Sequence, residues 1–202
     1  MIKKRAFIAI ILCFALSVIC IASISEIIKF PAQKVGGKGP LPYNYRIIDK
    51  HIHAGGHPLN PSTNFGNSDK EVKNILHYLK SKGVLTIIDL ENTLSIQSRY
   101  ARLLKEAGLE RLHIPMSSSK VPTKAEWQAM KKAMEEPVYI YCKWGADRTG
   151  AVIGRYLVEE YGYSKMDAIK AVSNYGTHAG PIGGLKSSLY PNLVKFIQKG
   201  PK

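Results

Sequence analysis

A cysteine and an arginine separated by five residues form the group of side chains best suited to chemistry in this sequence. The stretch reads Tyr141-Cys-Lys-Trp-Gly-Ala-Asp-Arg-Thr149, with apolar runs before and after it. A thiolate is a strong nucleophile, and the N-terminus of a helix favours that ionised form. The backbone N–H groups of the turn can form a concave nest for phosphate oxygens. The spacing therefore predicts a phosphate-binding loop in which Cys142 attacks phosphorus.

The other residues of this loop have roles that follow from the same geometry. Arg148 returns to the rim, where its planar guanidinium can hold two phosphate oxygens at once. Gly145 lets the backbone turn with its amides inward. The hydroxyl of Thr149 can donate to the sulfur when the thiolate leaves. A buried structural cysteine near a solvated arginine is the alternative, and the strand and helix around the loop argue against it.

The elements that must position this loop alternate between strand and helix. Helical spacing of apolar residues follows the capping boxes Ser68/Glu71 and Thr123/Glu126, and glycines end two of the helices. Short apolar runs predict the strands, which are Tyr45–Ile48, His51–Ala54, Val84–Leu90, Leu112–Pro115 and Val138–Tyr141. We expect an α/β three-layer sandwich with a mainly parallel central sheet flanked by helices. Ligands bind at the carboxyl ends of such strands, where Cys142 lies.

The N-terminus has the pattern of an export or insertion signal. Lys3, Lys4 and Arg5 precede a charge-free run from Ala6 to Ile24. This predicts an apolar helix, either an uncleaved anchor or a cleaved signal, with the catalytic domain outside the cytoplasm, in the periplasm or at the cell surface if the source is bacterial. The expected organisation is a signal or anchor at 1–30, a flexible Gly/Pro/Lys linker at 31–42 and a domain at 43–202.

Composition restricts the function classes. The apolar fraction is 45% and the net charge is +14, so the chain can bury a core and should attract anions. Of its three cysteines, two lie in the N-terminal apolar run, so the domain cannot form a disulfide or a cysteine zinc site. A metal site of clustered histidines lacks a supporting carboxylate pattern. Nucleic-acid binding would explain the charge, but the sequence has no recognition motif or stacking series.

The loop and its surroundings resemble the cysteine-based protein-tyrosine/dual-specificity phosphatase superfamily, in particular its bacterial dual-specificity-like members. The similarity covers most of residues 43–180, including Tyr45–Pro58, Gly83–Leu90 and His113–Pro115. It implies the superfamily's fold, a phosphocysteine intermediate and no metal or organic cofactor. It also implies that Cys142 is the nucleophile, that Arg148 binds phosphate and that Thr149 assists thiolate departure. The loop residues Lys143, Trp144, Gly145 and Ala146, together with His57, are expected to contact substrate.

Two departures from this resemblance concern the proton chemistry. Tyr141 stands where the superfamily usually has histidine, and the stretch between Leu112 and Tyr141 has no aspartate to act as general acid. A leaving alkoxide or phenoxide still needs a proton. The Gly-x-Asp-Arg-Thr-Gly pattern resembles members in which the loop aspartate is the proposed acid, so Asp147 is the first candidate. Asp89, at the end of its strand, is the second.

The substrate and two other function classes stay open on the sequence alone. A membrane tether and a basic domain are compatible with a phospholipid, a lipid-linked phosphate or an inositol phosphate as well as with a phosphoprotein. The missing loop aspartate and Tyr141 would also suit a catalytically inactive phosphate-binding module, although such a module does not need the nucleophile. Sulfur transfer uses a loop cysteine too, but it gives the Arg148-Thr149 pair no task.

Overall fold

The computed structural model of the 202-residue protein describes residues 24–32, 35–61, 63–173 and 184–202. These residues form a six-stranded sheet with helices on both faces. The strands are β1 (Ile28–Lys29), β2 (Arg46–Ile48), β3 (Ile52–Gly56), β4 (Thr86–Asp89), β5 (Glu110–His113) and β6 (Val138–Cys142). The helices are α1 (Ile24–Ile27), α2 (Asp69–Ser81), α3 (Gln97–Ala107), α4 (Lys124–Ala133), α5 (Asp147–Glu160), α6 (Lys165–Ser173) and α7 (Pro191–Lys199), and a short 3₁₀ turn (Leu94–Ile96) precedes α3.

The sheet is mixed, and its parallel part carries the loop. The strand order is β1-β2-β3-β6-β4-β5, in which β3, β6, β4 and β5 run parallel. Strands β1 and β2 attach antiparallel, which differs from the expectation of a mainly parallel sheet. The reason is local. Asp49 and Lys50 both have positive φ, 47° and 65°, so they form a tight hairpin that is too short for a parallel crossover.

Alternation along β6 decides which core each of its side chains joins. Val138, Ile140 and Cys142 face the core formed with α4, α5, α6 and α7. Tyr139 and Tyr141 face the opposite core, which α2 and α3 cover. Because successive strand residues point to opposite faces, Cys142 ends on the side of the sheet from which α5 departs.

The helix termini follow the sequence patterns closely. Both capping boxes form, since Ser68 and Thr123 accept from the backbone N–H of Glu71 and Glu126 and each glutamate accepts in return. Gly108 takes the left-handed conformation, φ 65°, directly after α3. These boundaries were therefore predicted correctly. Strand β5 instead begins two residues before its predicted start at Leu112.

The structure describes only part of the predicted N-terminal segments. Residues 1–23, which carry most of the predicted signal or anchor, lie outside the described residues. Within the part that is described, no helix is long and apolar enough to cross a membrane. Ile28 pairs with Ile48 at the sheet edge, and the Gly37 carbonyl accepts a 2.7 Å hydrogen bond from Asn67. Both the end of the predicted anchor and part of the predicted linker thus contact the domain.

Candidate active site

The cysteine lies at the junction between the central strand β6 and helix α5. Cys142 is the last residue of β6 and is 2% exposed. Residues 143–146 form the loop, and α5 begins at Asp147. The first-turn amides of α5 therefore point toward the space beyond Cys142, where a helix N-terminus favours negative charge.

The carbonyl groups of the loop are held on its outer side by two asparagines. Asn60 donates to the Lys143 carbonyl at 2.6 Å. Asn44 donates to the carbonyls of Trp144 and Gly145 at 3.2 and 3.1 Å. In a trans peptide the C=O and the next N–H point in opposite directions. Holding these three carbonyls outward therefore turns the three following N–H groups inward, as an anion nest requires.

Gly145 is required by both backbone conformation and space. Its φ is +68°, and a Cβ atom at this position would lie 2.2 Å from the carbonyl carbon of Gly55. The loop thus packs directly on the backbone of β3. Only glycine permits that approach without moving one of the two segments.

Arg148 is oriented by a ring of acceptors at the carboxyl edge of the sheet. Its guanidinium donates to Glu91 Oε2 at 3.0 Å, to the Leu90 carbonyl at 3.0 Å and to the Met116 carbonyl at 3.3 Å. Asn92 Oδ1 accepts a fourth bond at 3.2 Å. Glu91 is only 1% exposed, so this ion pair is shielded from solvent. Burial alone would lower the pKa of Arg148, but the sulfur of Cys142 and the Glu91 carboxylate raise it above its ordinary value.

Thr149 lies in the first turn of α5, where its side chain is fully buried. Its hydroxyl has no hydrogen-bond partner among the described residues. A buried hydroxyl without a partner costs free energy, and such groups are frequent at functional sites. The hydroxyl therefore keeps a donor that no described residue uses.

Asp147 lines the open cleft above the loop. The cleft has a volume of about 330 Å³. Its lining residues are Asn92, Ser117, Ser118, Lys143, Trp144, Asp147, Arg148, Tyr190 and Leu193. Asp147 Oδ1 accepts the backbone N–H of Lys186 at 3.0 Å, which fixes the carboxylate beside Arg148. The carboxylate is placed where it can reach a leaving group.

Asp89 does not line this cleft. It is fully buried, and its Oδ2 accepts from Arg111 Nε at 2.8 Å. Its Oδ1 caps the turn after β4 by accepting the Glu91 N–H at 2.7 Å. One carboxylate oxygen of Asp89 thus accepts from Arg111 and the other stabilises the turn after β4, away from the cleft. Of the two predicted candidates for the general acid, Asp147 lines the cleft and Asp89 does not.

His57 occupies a core position, which corrects the expectation that it contacts substrate. Its side chain is fully buried among Phe65, Tyr100 and Tyr141. Its Nδ1 accepts the Leu59 N–H at 3.0 Å. Burial, followed by nearby arginines, lowers its pKa well below the ordinary value, so the ring is neutral. Aromatic neighbours hold His57 beneath the loop, where substrate cannot reach it.

The other predicted contact residues divide between the rim and the interior of the loop. Lys143 and Trp144 lie at the cleft, and the Lys143 ammonium sits 5.0 Å from the ring centroid of Phe65. Ala146 is fully buried, so it can contribute its backbone but not its side chain. In the described part of the chain, no group of three His, Cys, Asp or Glu side chains could hold a metal ion.

The sequence analysis missed the residues that support the loop and Arg148. Glu91 directly follows a predicted buried strand, and a charged residue at the carboxyl end of such a strand is a usable signal. Asn44, Arg46 and Asn60 had no comparable signal. They lie about 80 to 100 positions before the loop, and only the sheet register brings them to it.

Proteins that are similar to this chain are described as phosphatases. A family described as "Polymorphic toxin system, DSP-PTPase phosphatase" matches residues 64–162. The phosphatidylglycerophosphatase and protein-tyrosine phosphatase 1 of Mus musculus is 27% identical over 141 residues, which are 66% of this chain and 68% of the relative.

Solved structures share the fold. TpbA of P. aeruginosa has a TM-score of 0.56 at 16% identity, covering 84% of this chain and 89% of its own. The catalytic core of the PP-IP phosphatase SIW14 of S. cerevisiae has a TM-score of 0.55 at 18% identity, covering 78% and 85%.

The matched family segment includes the whole loop that joins β6 to α5. Together with the buried cysteine and the oriented arginine, this defines a cysteine-dependent phosphatase. The family model and the mouse relative confirm the resemblance of this chain to the cysteine-based protein-tyrosine/dual-specificity phosphatase superfamily.

Proposed function

We propose that this protein hydrolyses phosphate monoesters in two steps through a phosphocysteine on Cys142. One observation carries the proposal: the loop carbonyls are bonded outward while Arg148 is held at the rim by Glu91. This arrangement leaves inward amides and a guanidinium to stabilise the equatorial charge of a transferring phosphoryl group.

In the first step the Cys142 thiolate attacks phosphorus. An S–P bond forms, the P–O bond of the ester breaks, and Asp147 gives its proton to the leaving oxygen. In the second step Asp147 takes a proton from water, whose oxygen attacks phosphorus. The S–P bond breaks, inorganic phosphate forms, and the Thr149 hydroxyl donates to the departing sulfur. Atoms and charges balance without a cofactor.

The substrate class we propose is a phosphomonoester on an anionic carrier, either a phosphotyrosine protein or a phospholipid such as phosphatidylglycerophosphate. The basic chain and the rim position of Lys143 support an anionic substrate. The name of the mouse relative joins lipid and protein-tyrosine phosphatase activities, and a TpbA variant is known in complex with phosphotyrosine. An exported, membrane-held location stays a proposal from the N-terminal sequence.

The test is hydrolysis of p-nitrophenyl phosphate by the full chain and by Cys142→Ser. We expect the substitution to lower kcat by about 10⁴-fold or more, because the nucleophile is lost. Circular dichroism and retained binding of vanadate would show that the variant still folds and still forms the nest. Turnover of Cys142→Ser within tenfold of the parent would refute the mechanism. A phosphate-release panel of phosphopeptides and phosphatidylglycerophosphate then distinguishes the carriers.

A further inference from the structure

Arg46 is a buried cation behind the catalytic loop. It lies on β2 and is 2% exposed. Its guanidinium donates to the Gly145 carbonyl at 2.8 Å and to the Asn44 carbonyl at 3.0 Å. Among the described residues, no carboxylate lies within ion-pair distance of it. Burying a charge without a counter-ion costs free energy. The buried guanidinium of Arg46 therefore points to an anion that is not a carboxylate of the described residues.

The first consequence of this placement is geometric. The bond to the Gly145 carbonyl fixes that peptide plane with its oxygen outward and the following N–H, that of Ala146, inward. The side-chain amide of Asn44 donates to the same carbonyl at 3.1 Å. The planar guanidinium bridges this carbonyl and that of Asn44, which a lysine could not do with the same geometry.

The second consequence is electrostatic. Burial lowers the pKa of Arg46 to about 10. The electrostatic interaction with the sulfur of Cys142 raises this pKa and so opposes part of the effect of burial. The guanidinium is therefore still charged at neutral pH. Arg148 and Tyr139 also interact electrostatically with this sulfur. Arg148 on α5 is already paired with Glu91, and Tyr139 on β6 is neutral because burial raises its pKa. Arg46 is the cation of this set that has no carboxylate partner.

We infer that Arg46 is a positioning residue of the active site, which fixes the Gly145 peptide and supplies positive charge behind the Cys142 thiolate. This charge would balance negative charge on the Cys142 sulfur or on the phosphoryl group bound during turnover. This inference rests on the proposed function of the same loop. Arg46 needs no contact with substrate to act in this way.

The experiment compares three variants with the parent chain: Arg46→Met, which removes the charge, Arg46→Lys, which keeps it, and Asn44→Gly. The last variant removes two bonds to the loop but leaves the charge, and glycine suits the positive φ of 56° at position 44. The rate of Cys142 alkylation by neutral iodoacetamide is measured as a function of pH. The kcat/KM for an aryl phosphate is measured in parallel.

We expect Arg46→Met to move the midpoint of alkylation upward by about one pH unit, because a nearby cation favours the thiolate. Arg46→Lys should keep the midpoint within about 0.3 pH unit of the parent, because the positive charge remains. It should lose about tenfold in kcat/KM, because an ammonium group does not bridge the Gly145 and Asn44 carbonyls with the same geometry. Asn44→Gly should lose activity without moving the midpoint.

An unchanged midpoint in a folded Arg46→Met variant would overturn the electrostatic role. Full activity of Arg46→Lys would overturn the positioning role. If Arg46→Met does not fold, Arg46→Lys decides, and its failure to fold would make Arg46 a structural residue and refute the inference. Alkylation does not require turnover, so a parent chain that fails to hydrolyse aryl phosphates would refute the proposed function while still testing Arg46.

Discussion

At the scale of single residues, the main choice is which carboxylate supplies the proton to the leaving group. Asp147 lines the cleft beside Arg148, whereas Asp89 is buried in an ion pair with Arg111. A buried carboxylate whose oxygens already accept from an arginine and a backbone N–H acts as a structural acceptor. The sequence left both open because it does not show which face of the sheet edge each side chain takes.

Asp147→Asn should therefore make the rate depend strongly on the leaving group. We expect phenyl phosphate, whose leaving oxygen needs a proton, to lose about 10²-fold or more in kcat/KM. A fluorogenic phosphate with an acidic phenol should lose much less. Steady-state kinetics with a series of aryl phosphates measures the slope against leaving-group acidity.

Asp89→Asn is the matched control for that series. It should destabilise the fold by about 3 kcal/mol, because a buried ion pair is broken, and leave the leaving-group slope unchanged. Urea unfolding gives the stability. A steeper slope in Asp89→Asn than in Asp147→Asn would reverse the assignment of the general acid.

At the scale of elements, the catalytic loop depends on close contact between two backbones. Gly145 and Gly162 both have positive φ, 68° and 65°, but only Gly145 faces backbone atoms within van der Waals distance. For alanine at either site the left-handed conformation costs about 1 kcal/mol. At Gly145 a Cβ would also push the loop off Gly55 and turn the amides out of alignment.

Gly145→Ala should consequently abolish most activity, with kcat/KM falling by about 10²-fold or more as the nest opens. Gly162→Ala should lose only about 1 kcal/mol in the free energy of unfolding and keep the kcat/KM of the parent. Thermal unfolding and aryl phosphate kinetics on both variants check this. Equal activities in the two alanine variants would show that the loop tolerates displacement.

The sequence predicted local features of these elements well and the distant contacts poorly. Capping boxes and the left-handed Gly108 depend on residues within one turn, so they could be read directly. The same holds for the loop from Cys142 to Thr149. The antiparallel β1 was missed because two residues, Ile28 and Lys29, carry no strand pattern and gain their place only by pairing with β2.

The site shows the same division. Arg148 follows from its spacing to Cys142, but its orientation depends on Glu91 and Asn92, which lie more than 50 residues earlier. The sequence indicated that His57 is a polar residue of an exposed loop. In the structure the turn at Leu59 and three aromatic rings bury its side chain. A single sequence does not show which polar residues the fold withdraws from solvent.

At the scale of the whole molecule, the sequence carries a formal net charge of +14. Such a charge steers anions to the surface and raises their association rate, and salt screens the effect over about 10 Å at 0.1 M. The inward N–H groups of the loop and the guanidinium of Arg148 would recognise the phosphate itself. The surrounding charge should then decide between carriers that present the same phosphate.

Two phosphotyrosine peptides, identical except for flanking glutamates or flanking lysines, separate these contributions. We expect the glutamate peptide to have about tenfold higher kcat/KM at low ionic strength, mainly through KM. Raising the NaCl concentration should bring the two together, and an uncharged glutamine-flanked peptide should fall between them. Phosphate release measured for all three at two salt concentrations is sufficient. If the lysine peptide is hydrolysed as efficiently as the glutamate peptide at low salt, the overall charge does not select the carrier, and local contacts at the rim must do so.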